Sequence, residues 1–311
     1  MVTVVGAGVS GLTTAIVLAE SGVPTTVVAA EPPQETTSVA AGALWGPSFQ
    51  RPYDRTLRWT AQSLVDFQDL AAEPGTGVRI VDVLTVGSGD LPDQLPPQVA
   101  LIPGLRRASP EELPRGYDAG SWGRMPVVDM PTYLDYLTRR LAAAGVEVEL
   151  RRVTALEGER ETVVNCAGVG ARELAGDDSV RAVFGQHVVL DNPGLTHAFM
   201  ELGRDGEWTS FMPHPTRVVC GGVRIEDRWD RTPDDDVTAG ILERCRALEP
   251  RLADARVQGV VTGLRPERPA VRVETEQRGR TRVVHNYGHG GTGVSLSWGC
   301  AREAARLAVG G

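Results

Sequence analysis

Cysteine is scarce in this chain and carries no pattern. Cys166, Cys220, Cys245 and Cys300 form no C-x-x-C and no metal-ligand spacing. That argues against a zinc ribbon or a disulfide framework and predicts buried thiols in a reducing cytoplasm, with one chance disulfide left open. No metal site is expected. Positive charge is also short: 32 Lys and Arg against 40 Asp and Glu leave a net charge of −8. No basic surface therefore invites nucleic acid or an anionic membrane, and a small anionic substrate would need positive charge concentrated locally. No apolar run approaches the ~18 residues of a membrane span. The first residues already read as a strand, leaving no room for a leader, and the closing Ala308-Val309-Gly310-Gly311 is no peroxisomal address. A cytoplasmic protein is expected. Internal repeats and low-complexity tracts are missing too. What remains is ordinary for a soluble globular protein, 41% hydrophobic and 23% charged, and 311 residues suffice for two domains.

The feature that is present stands at the start. Val2-Thr3-Val4-Val5 has the composition of a buried strand. Gly6-Ala7-Gly8-Val9-Ser10-Gly11 then fits G-x-G-x-x-G and runs into a helical stretch, 12–21. The three glycines suit a tight turn, close approach of backbone to a pyrophosphate, and close helix–strand packing. The free N–H groups at the helix start suit a diphosphate. A second strand, 25–29, leads to Glu31, twenty residues beyond Gly11, where an acid can hydrogen-bond adenosine ribose hydroxyls. This combination predicts dinucleotide binding without choosing between FAD and NAD.

Further along, 39–45 is small, apolar and glycine-punctuated, and such bare backbone can lie against a planar ring. A helix is expected over 53–72. From 78 to 128 short β-type runs (78–86, 98–102, 125–128) are separated by Pro- and Gly-rich turns, the texture of an antiparallel sheet. A helix opened by Pro131, a strand at 146–153 and a buried strand from 162 return to the nucleotide unit. β texture resumes over 180–224, with runs at 182–190, 197–202 and 217–223. A helix over 237–248 follows, then strands at 257–261 and 282–285 and a last helix over 294–308. The expected architecture is α/β: a discontinuous Rossmann-type nucleotide domain (1–45, 130–178, 258–311) and a second α+β domain on an antiparallel sheet (46–129, 179–257).

Two late segments look chemical. Gly263-Leu264-Arg265-Pro266-Glu267-Arg268-Pro269 holds two arginines, each followed by a proline, and a stiffly held Arg suits a carboxylate. Asn286-Tyr287-Gly288-His289-Gly290-Gly291-Thr292-Gly293 is a glycine-rich loop opening the last helix. With Val5–Leu12, Val39-Ala40-Ala41-Gly42, Leu44-Trp45 and Val164-Asn165-Cys166-Ala167-Gly168-Val169, these motifs make the chain resemble the D-amino-acid oxidase family of FAD enzymes, which includes D-aspartate oxidases. The likeness spans residues 2 to about 306.

The resemblance implies FAD, a small-molecule D-amino acid and dioxygen. Hydride passes from substrate Cα to flavin N5, and the products are a 2-oxo acid, ammonia and hydrogen peroxide. It implies that Arg265 grips the substrate carboxylate and that the Gly291 carbonyl accepts from the amine. Thr37, Ser38, Ala41, Gly42 and Leu44 would line the flavin and its phosphates, and Val153 would touch the adenine. Gly290, Thr292, Gly293, Val294 and Ser295 would follow the pyrimidine side of the ring. Where the family's oxidases carry two tyrosines, this chain has Trp208 and Phe211, so grip would rest more on Arg265, Trp208 or a polar neighbour such as His214. Arg224, after Gly221-Gly222, resembles the side-chain-binding arginine of D-aspartate oxidases. Two readings stay open for it: a pocket charge favouring acidic D-amino acids, or a structural partner of Glu226, Asp227 or Glu201. His289 is expected to order its loop and Tyr287 to pack. The alternatives are a glycine- or sarcosine-type amine oxidase of the same fold, an NAD-dependent dehydrogenase, or a flavin-binding protein without turnover. Oligomeric state is left open, a homodimer being one option.

Overall fold

The computed structural model describes residues 1–87, 91, 94–158, 161–202 and 206–310. The chain opens with β1 (Val2–Val5), α1 (Val9–Glu20) and β2 (Thr25–Ala29). α2 (Tyr53–Ala72), β3 (Val78–Val86), β4 (Arg106–Arg107) and β5 (Gly120–Val128) come next. Then follow α3 (Met130–Ala143), β6 (Val148–Leu150), β7 (Thr162–Asn165) and α4 (Ala171–Ala175). The long β8 (Arg181–Asp191) leads to β9 (Ala198–Glu201), β10 (Glu207–Pro213), β11 (Arg217–Val223) and β12 (Ile225–Glu226). α5 (Asp235–Leu248), β13 (Val257–Glu267), β14 (Arg272–Arg278), β15 (Thr281–Tyr287) and α6 (Gly293–Ala308) complete it.

Two sheets result. The first has the order β14-β15-β7-β1-β2-β6, parallel throughout except for the edge strand β14. β1 lies between β7 and β2 with all four residues buried, as its β-branched run requires of a strand covered on both faces. α1 packs against α6 and α3. The second sheet has nine strands, β12-β8-β11-β10-β9-β3-β5-β4 with β13 on the other side of β8, and is antiparallel apart from the β3–β9 pair. The fold is α/β, a mainly parallel sheet with a second, mainly antiparallel one.

Local chemistry accounts for the element ends. Asp234 caps α5, its carboxylate accepting from the N–H groups of Asp236 and Val237. Pro131 occupies the first turn of α3, where no intrahelical donor is needed. α2 buries Thr56, Trp59, Thr60, Ser63, Leu64, Phe67 and Leu70 along one face.

Three expectations are corrected. The run 98–102 forms no strand: a single 3₁₀ turn spans Val99–Leu101, because prolines at 96, 97 and 103 deny it a ladder and its amides bond locally, Ala100 to the Pro96 carbonyl. The strand starting at Val257 continues to Glu267 and pairs with β8 from Leu190 to Arg181. It belongs to the second sheet, so the return to the nucleotide sheet comes after Glu267 and not at 258. α2, placed by the sequence with the second domain, also packs along α6. Gly299 lies so close to Trp59 that an added Cβ would stand 2.3 Å from its Cα.

Candidate active site

A cavity of about 860 Å³ runs from the carboxyl ends of β1 and β2 to the face of the second sheet. Ligands of doubly wound folds bind at such strand ends, and the volume suits a large ligand. The fingerprint forms one end. Gly6, at φ +111°, passes so close to β7 that a Cβ would lie 2.4 Å from the Cys166 carbonyl oxygen. A Cβ on Gly11 would lie 1.9 Å from the Gly6 oxygen, which makes Gly11 the helix–strand packing glycine, and it is not part of the cavity wall. Gly6, Ala7, Gly8, Val9 and Ser10 are part of that wall. The Ser38 hydroxyl accepts from the Val9 N–H at 2.9 Å, tying the loop after β2 to the start of α1.

Glu31 also lines the cavity, and in this structure its carboxylate holds Arg231 (2.8 Å), a residue between β12 and α5. Thr37, Ser38, Ala41, Gly42, Leu44, Val153, Gly290, Gly291, Gly293, Val294 and Ser295 line it as well. Thr292 does not: its hydroxyl turns back and donates to the His289 carbonyl at 3.0 Å.

The other end is built around Arg265. Its Nη1 donates to the carbonyls of Phe184 (3.2 Å) and Val223 (3.0 Å), and its guanidinium carbon stands 5.6 Å from the Trp208 ring centroid. Among the described residues no carboxylate lies within ion-pair distance of it. Burial draws this guanidinium down to about 10, so it remains a cation at neutral pH. Gly185 makes the room, since a Cβ there would stand 2.5 Å from the guanidinium; Gly222 does the same for the Trp208 ring. A half-buried cation whose hydrogen-bond partners are neutral carbonyls, facing a cavity, suits an anion.

Arg224 lies at the cavity wall, but its two terminal nitrogens hold both oxygens of Glu267, and Nη2 also reaches Glu226 at 3.0 Å. The structural reading of Arg224 therefore describes the observed arrangement, with Glu267 as the main partner where the sequence pointed to Glu226, Asp227 or Glu201.

Phe211 is corrected. Trp208, Ser210 and Met212 of β10 face the cavity, whereas Phe211 points through the opposite face and stacks on Phe199 (centroids 5.6 Å). Side chains of a strand alternate, and 208 and 211 differ by an odd step. His214 is corrected as well: its buried ring sits near Asp129, Arg217 and Arg79, away from the cavity. His289 lies in the wall with a buried Nε2 that has no hydrogen-bond partner among the described residues, and burial drives it down to about 4. Tyr287 packs beneath the loop, its phenol donating to Asp177 (2.8 Å) and accepting from Arg272 (2.6 Å). Arg268, the second arginine of the proline-bracketed segment, is also tied to Asp177, at 2.8 Å. All four cysteines are buried and free. Sequence reasoning missed His187, Ser210, Met212 and Met200, which all line the site.

Residues 1–307 match the model of the FAD dependent oxidoreductase family, DAO. The chain belongs to this family. It is 49% identical to a D-amino-acid oxidase of Streptomyces coelicolor over 99% of this chain and 96% of that protein. It is 47% identical to a D-amino-acid oxidase of Rubrobacter xylanophilus over 98% and 94%. A solved glycine oxidase from Geobacillus kaustophilus superposes with a TM-score of 0.83 at 18% identity, covering 99% of this chain and 94% of that one, which shows a shared fold. The cofactor of this flavoenzyme family is FAD, and the cavity fits it. Backbone at Gly6 and Gly8 leaves no space for side chains, the start of α1 faces the cavity, and the volume accommodates a dinucleotide with a small substrate beside it.

Proposed function

We propose that this chain is a D-amino-acid oxidase that converts a D-amino acid, water and dioxygen into a 2-oxo acid, ammonia and hydrogen peroxide. The observation that carries the reading is Arg265: a half-buried cation that has no carboxylate partner among the described residues, in the wall of the cavity that begins at the nucleotide fingerprint. The names of the two bacterial relatives support it.

FAD held along the fingerprint and the glycine-rich loop would supply the two-electron acceptor for the Cα hydride and the route of those electrons to dioxygen. The protein's part is placement. Arg265 grips the substrate carboxylate with the nitrogens its carbonyl contacts leave free, and Trp208 covers the guanidinium and keeps water from it. The Gly291 carbonyl, close to Arg265, accepts from the amine. Hydride loss from Cα needs no protein base, so His289 is left without a proton-transfer role. The imino acid released is hydrolysed by water to the 2-oxo acid and ammonia.

Arg224 bears on substrate choice. With its charge neutralised by Glu267 and Glu226, the wall it belongs to is close to neutral, which favours D-alanine- or D-valine-like side chains over acidic ones. The deciding experiment mixes the yellow protein with D-alanine, D-valine, D-proline, D-aspartate, glycine and sarcosine. Flavin bleaching without air and peroxide release in air are then recorded. Turnover of neutral D-amino acids supports the proposal; a preference for glycine or sarcosine would replace it with the amine-oxidase reading, and absence of bleaching by every compound would end it.

A further inference from the structure

His187 is a buried polar residue of the cavity wall that the reaction as described does not use. It stands on β8, two residues beyond Gly185, so both face the same side of the sheet. Its ring fills space left by two glycines: a Cβ on Gly221 would stand 2.7 Å from Nε2, and one on Gly42 3.3 Å. Nδ1 lies 2.8 Å from the Ala40 carbonyl oxygen. A carbonyl only accepts, so Nδ1 carries the hydrogen, and Nε2 of the neutral ring is a bare acceptor. Burial, with the nearby charge of Arg265, lowers this imidazole to about 4 and keeps it neutral under working conditions. Among the described residues nothing donates to Nε2.

Spacing indicates what does. The Arg265 guanidinium lies over Gly185, so it and the imidazole are separated by one two-residue step of β8, about 7 Å. That gap suits a ligand with an anionic group at one end and an N–H donor a few bonds away. Resting on the oxidase reading above, we propose that His187 Nε2 accepts a hydrogen bond from the substrate α-amine, holding the amine while Arg265 holds the carboxylate. With two fixed ends, rotation of the amino acid about the Arg265 contact is stopped and the face of Cα presented to the flavin is selected.

The test compares ligands with and without an amine. In His187→Leu, FAD content and the affinity for propanoate, read from the flavin spectrum, should match the parent. The kcat/KM for D-alanine should fall roughly 10- to 100-fold, the loss of one hydrogen bond to a polar group. His187→Gln, which keeps an acceptor, should recover most of it. The proposal fails if His187→Leu oxidises D-alanine like the parent, or if propanoate affinity falls in step with turnover, which would mark a purely structural wall. Should the leucine variant not hold FAD, ¹⁵N-histidine NMR of the parent decides: 2-aminobenzoate should move the Nε2 resonance and benzoate should not, and equal responses would overturn the assignment. A parent that oxidises no D-amino acid condemns the oxidase reading; a parent that does, with indifferent variants, condemns only the role of His187.

Discussion

Arg265 and Glu267 sit two residues apart on β13, and the charge of each decides a different property. Arg265→Ala should keep FAD, because the fingerprint is remote, yet lose roughly three orders of magnitude in kcat/KM, the worth of a pair of charge-assisted hydrogen bonds. Peroxide assays alongside the flavin absorbance check this, and parent-like turnover would remove Arg265 from the site. Glu267→Gln should release Arg224 to the cavity and raise kcat/KM for D-aspartate relative to D-alanine roughly tenfold, about 1.4 kcal/mol. An unchanged ratio would show that Arg224 does not reach the substrate. Arg265 stood out in the sequence because Pro266 directly after it, with Pro269 beyond, restricts the chain to few conformations. Phe211 was misread from its place opposite a tyrosine of the family's oxidases; strand parity, an odd step from Trp208, carried the signal and pointed to Ser210 and Met212. His187 gave no such sign, since its role depends on glycines at 42 and 221 that meet it only in the folded chain.

The helices and strands of the nucleotide unit were readable because their signals are local: a β-branched run, a glycine turn and an acid at fixed distance. Sheet membership was not. A strand beginning at Val257 looks the same whichever sheet it joins, and only its pairing with β8 as far as Arg181 decides. β14 escaped because Arg272–Arg278 has one apolar residue, as befits a half-exposed edge strand. The seam between α2 and α6 is likewise a tertiary fact. Gly299→Ala would push a methyl into the Trp59 backbone, and overpacking of this kind costs about 1–3 kcal/mol. Thermal unfolding should show a midpoint several degrees lower with FAD bound in both proteins; an unaltered midpoint would mean the helices separate freely.

Across the whole molecule the buried histidines and Glu276 act in one direction on the acid side. His187, His214 and His289 are each held down to about 4, chiefly by burial, and Glu276 to about 2, chiefly by Arg278. The unfolded chain therefore binds more protons than the folded one as soon as pH drops below the ordinary histidine value. The histidine contribution is complete above about 6.5 and is lost as pH falls towards 4; the Glu276 contribution goes lower still. The unfolding midpoint of the holoenzyme should decline steadily from pH 7 to 4, and a flat profile over that interval would contradict the burial of these rings. Sulfur placement has a consequence of its own. Burial pushes the Cys166 thiol up to about 12, so this cysteine stays a protonated thiol although it too lines the cavity, and the other three sulfhydryls are buried away from it. The thioethers of Met200 and Met212 need no ionisation to react and border the chamber where, on the proposed oxidase reading, peroxide would form. Prolonged turnover should thus wear the enzyme by sulfoxide formation at those two methionines, visible as peptides 16 daltons heavier, while its thiol count stays intact.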